Sequence, residues 1–192
     1  MRWLVPPGPV AQGLCIGLMG GSFNPAHEGH LYVAETAIKR LGLDYVWLLV
    51  APQNPLKPVR GMPPLEKRLA ALRKLAGRHP RLAVTALEQT IASRYTIDTI
   101  RVLNARFPGV RFVWLMGSDN LMQFHRWRKW TEIAERIPVA VVLRPGSTLA
   151  PLKAKAMQRL KSRIVVIDGR RNETSATAIR NGFVAAGRSV LE

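Results

Sequence analysis

The sequence contains little cysteine and few acidic residues. Its 192 residues include one cysteine, Cys15, so a disulfide framework and a cysteine-based metal site are both excluded. A single thiol within an apolar run is typical of a reduced protein, and we expect a cytoplasmic location. The chain has 12 acidic residues against 29 lysines and arginines, a formal charge of +17. This charge attracts anions and does not distinguish nucleotides from nucleic acid or anionic lipid head groups.

Long hydrophobic runs are also lacking. The longest, near residues 46–51 and 137–143, are too short to cross a bilayer, so we expect no membrane association. Prolines interrupt residues 1–13, where we expect a loose leader rather than a signal peptide, and a single domain follows over residues 14–192. The sequence has no G-x-S-x-G elbow and no activated-cysteine pattern, which argues against a covalent nucleophile of those types.

One polar stretch stands between an apolar run, residues 14–19, and a segment of helical spacing, residues 31–38. It reads Gly20-Gly21-Ser22-Phe23-Asn24-Pro25-Ala26-His27-Glu28-Gly29-His30. This order predicts a strand, a turn and a helix. The glycine pair is expected to allow a tight turn and the close approach of a ligand, and the helix start is expected to offer unpaired N–H donors.

The two histidines of this stretch, His27 and His30, are expected to meet on the first helical turn with Gly29 between them. Two imidazoles beside a helix N-terminus favour a phosphate site. The alternative is a polar helix cap that contains incidental histidines.

Apolar runs and helical segments alternate along the rest of the chain. Further strands are predicted at residues 44–50, 82–84, 110–116, 137–143 and 164–167, and helices at residues 63–76, 153–163 and from about residue 92 onward. Almost continuously apolar strands are typical of parallel sheets covered on both faces. The fold class is therefore α/β: one Rossmann-like, doubly wound domain with a mostly parallel sheet of five or six strands flanked by helices.

Three groups of residues follow predicted strands, where ligands bind in such folds. Gly117 and Asp119 are suited to a sugar, although a helix cap by Ser118 or Asp119 explains them as well. Lys57 lies in a proline-rich loop and is either a ligand to the same anion or a solvated lysine. Trp127, among basic residues, offers a flat face for an aromatic ring, whereas Trp130 is assigned to the core.

Two further segments are interpreted as helix starts. Ser93 or Thr96 is a possible cap for the helix near residue 95. Near the C-terminus, Ser175, Thr177 and Arg180 combine hydroxyl donors with a guanidinium and predict a second anion site.

Taken together, these motifs resemble the bacterial nicotinate-mononucleotide adenylyltransferases, nucleotidyltransferases with an H-x-G-H element. The resemblance rests on the Gly20 to His30 stretch, on Ser93-Arg94-Tyr95-Thr96-Ile97-Asp98-Thr99, on Gly117-Ser118-Asp119 and on Trp127. These segments occur in the family's order between Gly20 and Arg180. One departure is Ser175-Ala176-Thr177, where the family has a second serine, and the C-terminus is expected to be shorter than in relatives.

The resemblance implies transfer of AMP from ATP to nicotinate mononucleotide in NAD biosynthesis, with Mg²⁺ carried by the ATP phosphates and no metal held by the protein itself. It implies catalytic roles for His27, His30 and Arg180. It implies ATP contacts from Gly20, Gly21, Ser22, Phe23, His27, His30, Gly117, Asp119, Ser175, Thr177 and Arg180. It implies mononucleotide contacts from Asn24, Lys57, Tyr95, Thr96 and Trp127.

Two alternatives remain at this point. The acceptor is either nicotinate mononucleotide or another phosphate, such as nicotinamide mononucleotide or phosphopantetheine. From a different class, the protein is a basic nucleic-acid-binding protein that uses the helix at residues 153–163, with Trp127 as a stacking platform. The ordered phosphate motifs favour the enzyme.

Overall fold

The computed structural model describes residues 5–52, 61–143 and 153–168. Six parallel strands form one sheet in the order β3-β2-β1-β4-β5-β6. The strands are β1 (Cys15–Gly21), β2 (Tyr45–Val50), β3 (Leu82–Thr85), β4 (Arg111–Gly117), β5 (Val139–Leu143) and β6 (Ile164–Asp168). The predicted doubly wound parallel sheet is thus confirmed.

The helices among the described residues connect these strands. They are α1 (Glu28–Leu41), α2 (Leu65–Ala76), α3 (Leu87–Thr90), α4 (Thr96–Arg106), α5 (Ser118–Phe124), α6 (Trp130–Arg136) and α7 (Lys155–Leu160), the last followed by a 3₁₀ turn at Lys161–Arg163. In the described part of the chain, no helix is both long enough and apolar enough to span a membrane.

Successive strand residues enter two separate hydrophobic layers. In β2, Val46 and Leu48 face the layer covered by α1 and α2, whereas Trp47 and Leu49 face the layer covered by α3 to α7. All four side chains are fully buried. This two-sided burial is the reason that the strands read as nearly unbroken apolar runs.

Part of the predicted leader contacts the domain. Val10 packs against the core, and the Gly13 amide donates a hydrogen bond to the Gly109 carbonyl at 2.8 Å.

The strand order places a topological switch between β1 and β4. Chain connections leave these neighbouring strands in opposite directions, which opens a crevice beyond their carboxyl ends. The strands are aligned so that Leu18 is opposite Trp114. The Gly20 and Gly117 ends therefore reach the same edge of the sheet.

A cluster of ion pairs joins α4 to α6. Both carboxylate oxygens of Glu132 accept hydrogen bonds from Arg101, at 2.8 and 2.9 Å, and one of them also accepts from Arg136 at 2.7 Å. The Nζ of Lys129 lies 3.4 Å from Oε2 of Glu132. The hydrogen bond from Arg136 is the largest cause that lowers the pKa of Glu132 to about 2, and the hydrogen bond from Arg101 is the next largest.

We expect this cluster to make stability depend on pH in acid. Because the folded-state pKa of Glu132 lies below its ordinary value, its stabilising effect is present above about pH 4.5 and is lost as the pH falls through about 2. Glu132→Gln should therefore lower Tm at pH 7 and leave it unchanged near pH 2, as measured by thermal unfolding. An equal change in Tm at both pH values would contradict this assignment.

Candidate active site

A cavity of about 500 Å³ occupies the crevice at the carboxyl ends of β1 and β4. Every predicted site residue that lies within the described ranges lines it. These residues are Gly20, Gly21, Ser22, Phe23, Asn24, His27, His30, Tyr95, Thr96, Gly117, Asp119 and Trp127. The cavity therefore brings together segments as far apart in the chain as Gly20 and Trp127.

Four of the predicted site residues lie outside the described residues. They are Lys57 in the proline-rich loop and Ser175, Thr177 and Arg180 near the C-terminus. Their roles stay predictions from the sequence.

The two histidines cap the helix that begins beside them. His27 is the N-cap of α1, and its Nδ1 accepts a hydrogen bond from the Gly29 amide at 3.1 Å. The Nδ1 of His30 accepts one from the His27 amide at 3.2 Å. The imidazole rings lie 3.9 Å apart between centroids, at an angle of 31°. The predicted meeting of the histidines on the first turn is confirmed.

The expectation of unpaired N–H donors at this helix start is wrong for three of its amides. The amides of His27 and Gly29 are taken by the imidazoles, and the His30 amide donates to the His27 carbonyl at 2.8 Å. Histidine side chains thus use the donors that a phosphate was expected to bind. An anion at this turn would instead meet the imidazoles.

The caps also fix the tautomer of both rings. A neutral imidazole has one donor and one acceptor nitrogen, and an Nδ1 that accepts from an amide places the hydrogen on Nε2. His27 and His30 therefore present Nε2–H donors at the helix end, where the dipole is positive and favours anions.

Packing holds the His30 ring in place. The ring of Phe23 lies 4.9 Å from it between centroids, and Phe23 is itself buried. Phe23 has a backbone φ of 47°, in the left-handed region that residues other than glycine rarely adopt. The turn after β1 is thus made at Phe23, next to the cis Asn24–Pro25 peptide, and not at the glycine pair, which belongs to the strand.

The absence of a side chain at Gly20 has a packing role in addition to the one expected. A Cβ on Gly20 would lie 2.6 Å from the indole of Trp114, so glycine at this position makes room for the tryptophan. Trp114 itself lines the cavity.

The cavity is also lined by aromatic and basic side chains. Trp127 meets Trp114 and Phe124 in edge-on geometry, at 5.9 and 5.4 Å between centroids, and neither ring is stacked parallel to it. Arg128 lies over the ring of Tyr95, 4.6 Å from its centroid. Trp130 packs against the core, as predicted.

The side chains that were predicted to cap α4 and α5 do not cap them. The N-cap residue of α4 is Tyr95, and no side chain caps this helix, so Ser93 and Thr96 are not caps. Gly117 precedes α5, again with no side-chain cap, so the alternative explanation of Ser118 or Asp119 as a cap is wrong. Asp119 lies on the first turn of α5 and lines the cavity.

Arg68 anchors the base of the site, a role that was not predicted from the sequence. This side chain of α2 is 3 % exposed, and burial lowers the pKa of its guanidinium. It donates hydrogen bonds to the carbonyls of Ser22, Ala51, Pro52 and Pro63 at 2.8 to 3.0 Å. Arg68 thereby ties the turn after β1 to the segment after β2.

Other charged residues also line the cavity, among them two basic neighbours of Trp127. Arg94, Arg126 and Arg128 supply positive charge, which suits an anionic substrate. Glu88 is buried, and burial raises the pKa of its carboxyl to about 7. Within the described ranges there is no cluster of three or more histidine, cysteine or acidic side chains that would hold a metal ion.

A family model described as cytidylyltransferase-like matches residues 18–182 of this chain. Among curated proteins, the chain is 53% identical over 152 residues to one from Cereibacter sphaeroides, with 79% of each chain covered. It is 45% identical over 188 residues to one from Parvibaculum lavamentivorans, covering 89% of this chain and 93% of that protein. Both relatives carry the name probable nicotinate-nucleotide adenylyltransferase.

Among solved structures, the fold is similar to a nicotinic acid mononucleotide adenylyltransferase from Plasmodium falciparum in complex with NaAD. The TM-score is 0.65 at 15% identity, with 85% of this chain and 79% of that chain covered. A nicotinate-nucleotide adenylyltransferase structure from Vibrio parahaemolyticus gives a TM-score of 0.53 at 20% identity, covering 93% and 85%. At these identities the likeness concerns the fold.

Proposed function

Since this chain belongs to the nicotinate-nucleotide adenylyltransferases of the cytidylyltransferase-like family, we propose that it transfers AMP from ATP to nicotinate mononucleotide. The products are nicotinate adenine dinucleotide and pyrophosphate, and the reaction belongs to NAD biosynthesis. The observation that carries the proposal is the cavity itself. It combines the capped histidine pair with aromatic and basic side chains that include Tyr95 and Trp127.

The nucleophile is the phosphate of the mononucleotide. Its second pKa is about 6, so it is largely doubly ionised at neutral pH and needs no general base. A phosphate oxygen forms a bond to the α-phosphorus of ATP, and the bond from that phosphorus to the bridging oxygen of pyrophosphate breaks. The two electrons of the broken bond leave with pyrophosphate.

The protein has to hold two anions in line and stabilise the charge that develops on the leaving group. The Nε2–H donors of His27 and His30 are suited to the ATP phosphates, together with Arg180, whose role is inferred from the sequence. ATP is used as its Mg²⁺ complex, and that ion supplies further charge neutralisation.

The adenosine and the acceptor occupy separate parts of the cavity. Gly117 and Asp119 are assigned to the adenosine ribose, because a carboxylate accepts hydrogen bonds from sugar hydroxyls. The pyridine ring is placed on Trp127, near Tyr95 and Thr96, and Lys57 is assigned to the mononucleotide phosphate from the family pattern.

The test is incubation with ATP, Mg²⁺ and a panel of acceptors, with release of pyrophosphate as the readout. We expect the highest kcat/KM with nicotinate mononucleotide and a lower one with nicotinamide mononucleotide. Turnover confined to phosphopantetheine would contradict the proposal. So would sequence-indifferent, salt-dependent oligonucleotide binding in the absence of turnover.

Trp127→Ala is expected to raise KM for the mononucleotide by about tenfold, because stacking on one aromatic side chain is worth about 1–3 kcal/mol. KM for ATP should change little, since the adenosine subsite lies at Gly117 and Asp119. Steady-state kinetics with each substrate varied in turn separates the two effects. Trp127→Phe keeps an aromatic face and serves as the matched control, and an equal loss in both variants would argue against stacking.

A further inference from the structure

Glu88 is a buried acidic residue in the cavity that the proposed reaction does not use. It lies on α3, is 7 % exposed, and lines the cavity together with Tyr95 and Thr96. A buried carboxyl group in a cavity that Arg94, Arg126 and Arg128 also line is unexpected when the acceptor is an anion. Its hydrogen-bond partners indicate what it does there.

A chain of three short contacts leads from Glu88 to the backbone of the acceptor segment. The Glu88 Oε1 lies 3.2 Å from the hydroxyl of Thr99, which lies 3.0 Å from the hydroxyl of Ser93. The Ser93 hydroxyl lies 3.0 Å from the carbonyl oxygen of Tyr95. Glu88, Ser93 and Thr99 are all buried, so bulk water does not readily replace a missing bond.

The hydrogens available to this chain can be counted. A carbonyl oxygen only accepts, so the Ser93 hydroxyl donates its single hydrogen to Tyr95. Thr99 must then donate its single hydrogen to Ser93. Thr99 can donate to Oε1 of an ionised Glu88, but only by giving up its bond to Ser93, so all three contacts are hydrogen bonds at once only if the carboxyl group supplies the third hydrogen. If Glu88 is ionised, only the two hydroxyl hydrogens are available for three contacts, and one hydrogen bond is lost.

The environment of Glu88 independently favours the neutral acid. Burial is the main cause that raises the pKa of Glu88 to about 7, and the hydrogen bond that Thr99 can donate to the ionised carboxylate acts in the opposite direction. Strand β2, which packs against α3, contributes Tyr45 as its titratable side chain. Helix α4 contributes Asp98, Arg101 and Arg106, and Arg101 pairs with Asp98 and with Glu132 of α6. The charged or titratable residues that share the cavity are His27, His30, Arg94, Tyr95, Asp119, Arg126 and Arg128.

We propose that Glu88 is a positioning residue for the acceptor: as a neutral acid it donates the first of three hydrogen bonds that end on the Tyr95 carbonyl and fix the segment 93–96. This proposal rests on the proposed function, in which Tyr95 and Thr96 adjoin the pyridine ring. Ionisation of Glu88 breaks the chain at one contact and places a negative charge near the anionic ring of nicotinate. Binding of the mononucleotide then weakens as the pH rises.

The kinetic test compares the wild type with Glu88→Gln, whose side-chain amide donates a hydrogen bond at every pH. The quantity to follow is the KM of the wild type for nicotinate mononucleotide divided by the KM of the variant at the same pH. Between pH 6 and 8.5 this ratio should rise about tenfold, the scale of one unmade buried hydrogen bond. Titration of the acceptor's own phosphate affects both proteins equally and therefore does not change the ratio. Thr99→Val interrupts the chain and should raise KM at all pH values. A pH-independent ratio between wild type and Glu88→Gln would overturn the proposal.

A second measurement needs no substrate. In protein with ¹³C-labelled glutamate carboxyls, the resonance that Glu88→Gln removes should titrate near pH 7, and the Tyr95 and Thr96 amide shifts should move with the same midpoint. A midpoint near that of ordinary glutamates would overturn the proposed hydrogen bonds from Glu88 to Tyr95 even if pyrophosphate is released. Conversely, a midpoint near 7 in a protein that turns over none of the mononucleotides would support these hydrogen bonds and refute the proposed function.

Discussion

Replacing His30 with alanine is expected to lower kcat by about 100-fold or more, the scale of losing one preorganised donor to a developing charge. The Nδ1 of His30 is engaged by the His27 amide, so the ring presents its Nε2–H in a fixed direction. The rings of Phe23 and His27 both pack against it. Single-turnover and steady-state measurements of pyrophosphate release give the effect on chemistry.

Two further variants separate the cap from the catalytic donor. An asparagine places its side-chain oxygen near the position of Nδ1 and retains the cap, whereas a glutamine places its amide near Nε2. We therefore expect His30→Asn to fold like the wild type with low kcat, and His30→Gln to recover part of kcat with a loss of about 1 kcal/mol of stability. The reverse pattern would show that His30 acts through helix capping alone.

Replacing Arg68 with methionine is expected to destabilise the protein by about 3 kcal/mol or more. The apolar replacement fills a similar volume but leaves the carbonyls of Ser22, Ala51, Pro52 and Pro63 without their charged donor, and each buried acceptor left unpaired costs about 1–3 kcal/mol before relaxation. Urea unfolding gives the free energy. We also expect kcat to fall, because Ser22 belongs to the turn that leads to the histidines.

Arg73→Met is the matched control, since Arg73 is exposed on the same helix and its loss should cost about 0.5 kcal/mol or less. Arg68→Lys keeps the charge on a side chain that has three donors on one atom and no planar fork, and it should recover only part of the stability. If Arg68→Met were as stable as Arg73→Met, the four carbonyls would have found other partners, and the anchoring role would be refuted.

The sheet was predictable from the sequence because its strands are buried on both faces. Every predicted strand is present with boundaries that differ by at most two residues, and β2 illustrates the reason: Val46 to Val50 alternate between two hydrophobic layers, so the whole run is apolar. The cavity was predictable for a related reason. Polar and glycine-rich segments that follow parallel strands meet at one edge, which is where His27, Gly117 and Trp127 are found.

Short helices and long-range hydrogen bonds were not predictable in the same way. Helix α3 has four residues, too few to show a 3.6-residue period, so Glu88 attracted no attention. Arg68 gave one signal that went unused: it lies between Leu65 and Leu72 on the apolar stripe of α2, where a cation is costly unless it is paired. The engagement of the α1 amides by imidazoles depends on side-chain rotamers, which spacing alone does not determine.

The anchor formed by Arg68 recognises only main-chain oxygen atoms. Its partners can therefore exchange their side chains without losing the bond, provided that the local backbone path is kept. Positions 52 and 63 should tolerate substitution in a library far better than position 68 does, whereas Ser22 and Ala51 also line the cavity. A single side chain, Arg68, thus joins the turn after β1 to the segment after β2, while two of the residues that it binds are open to diversification.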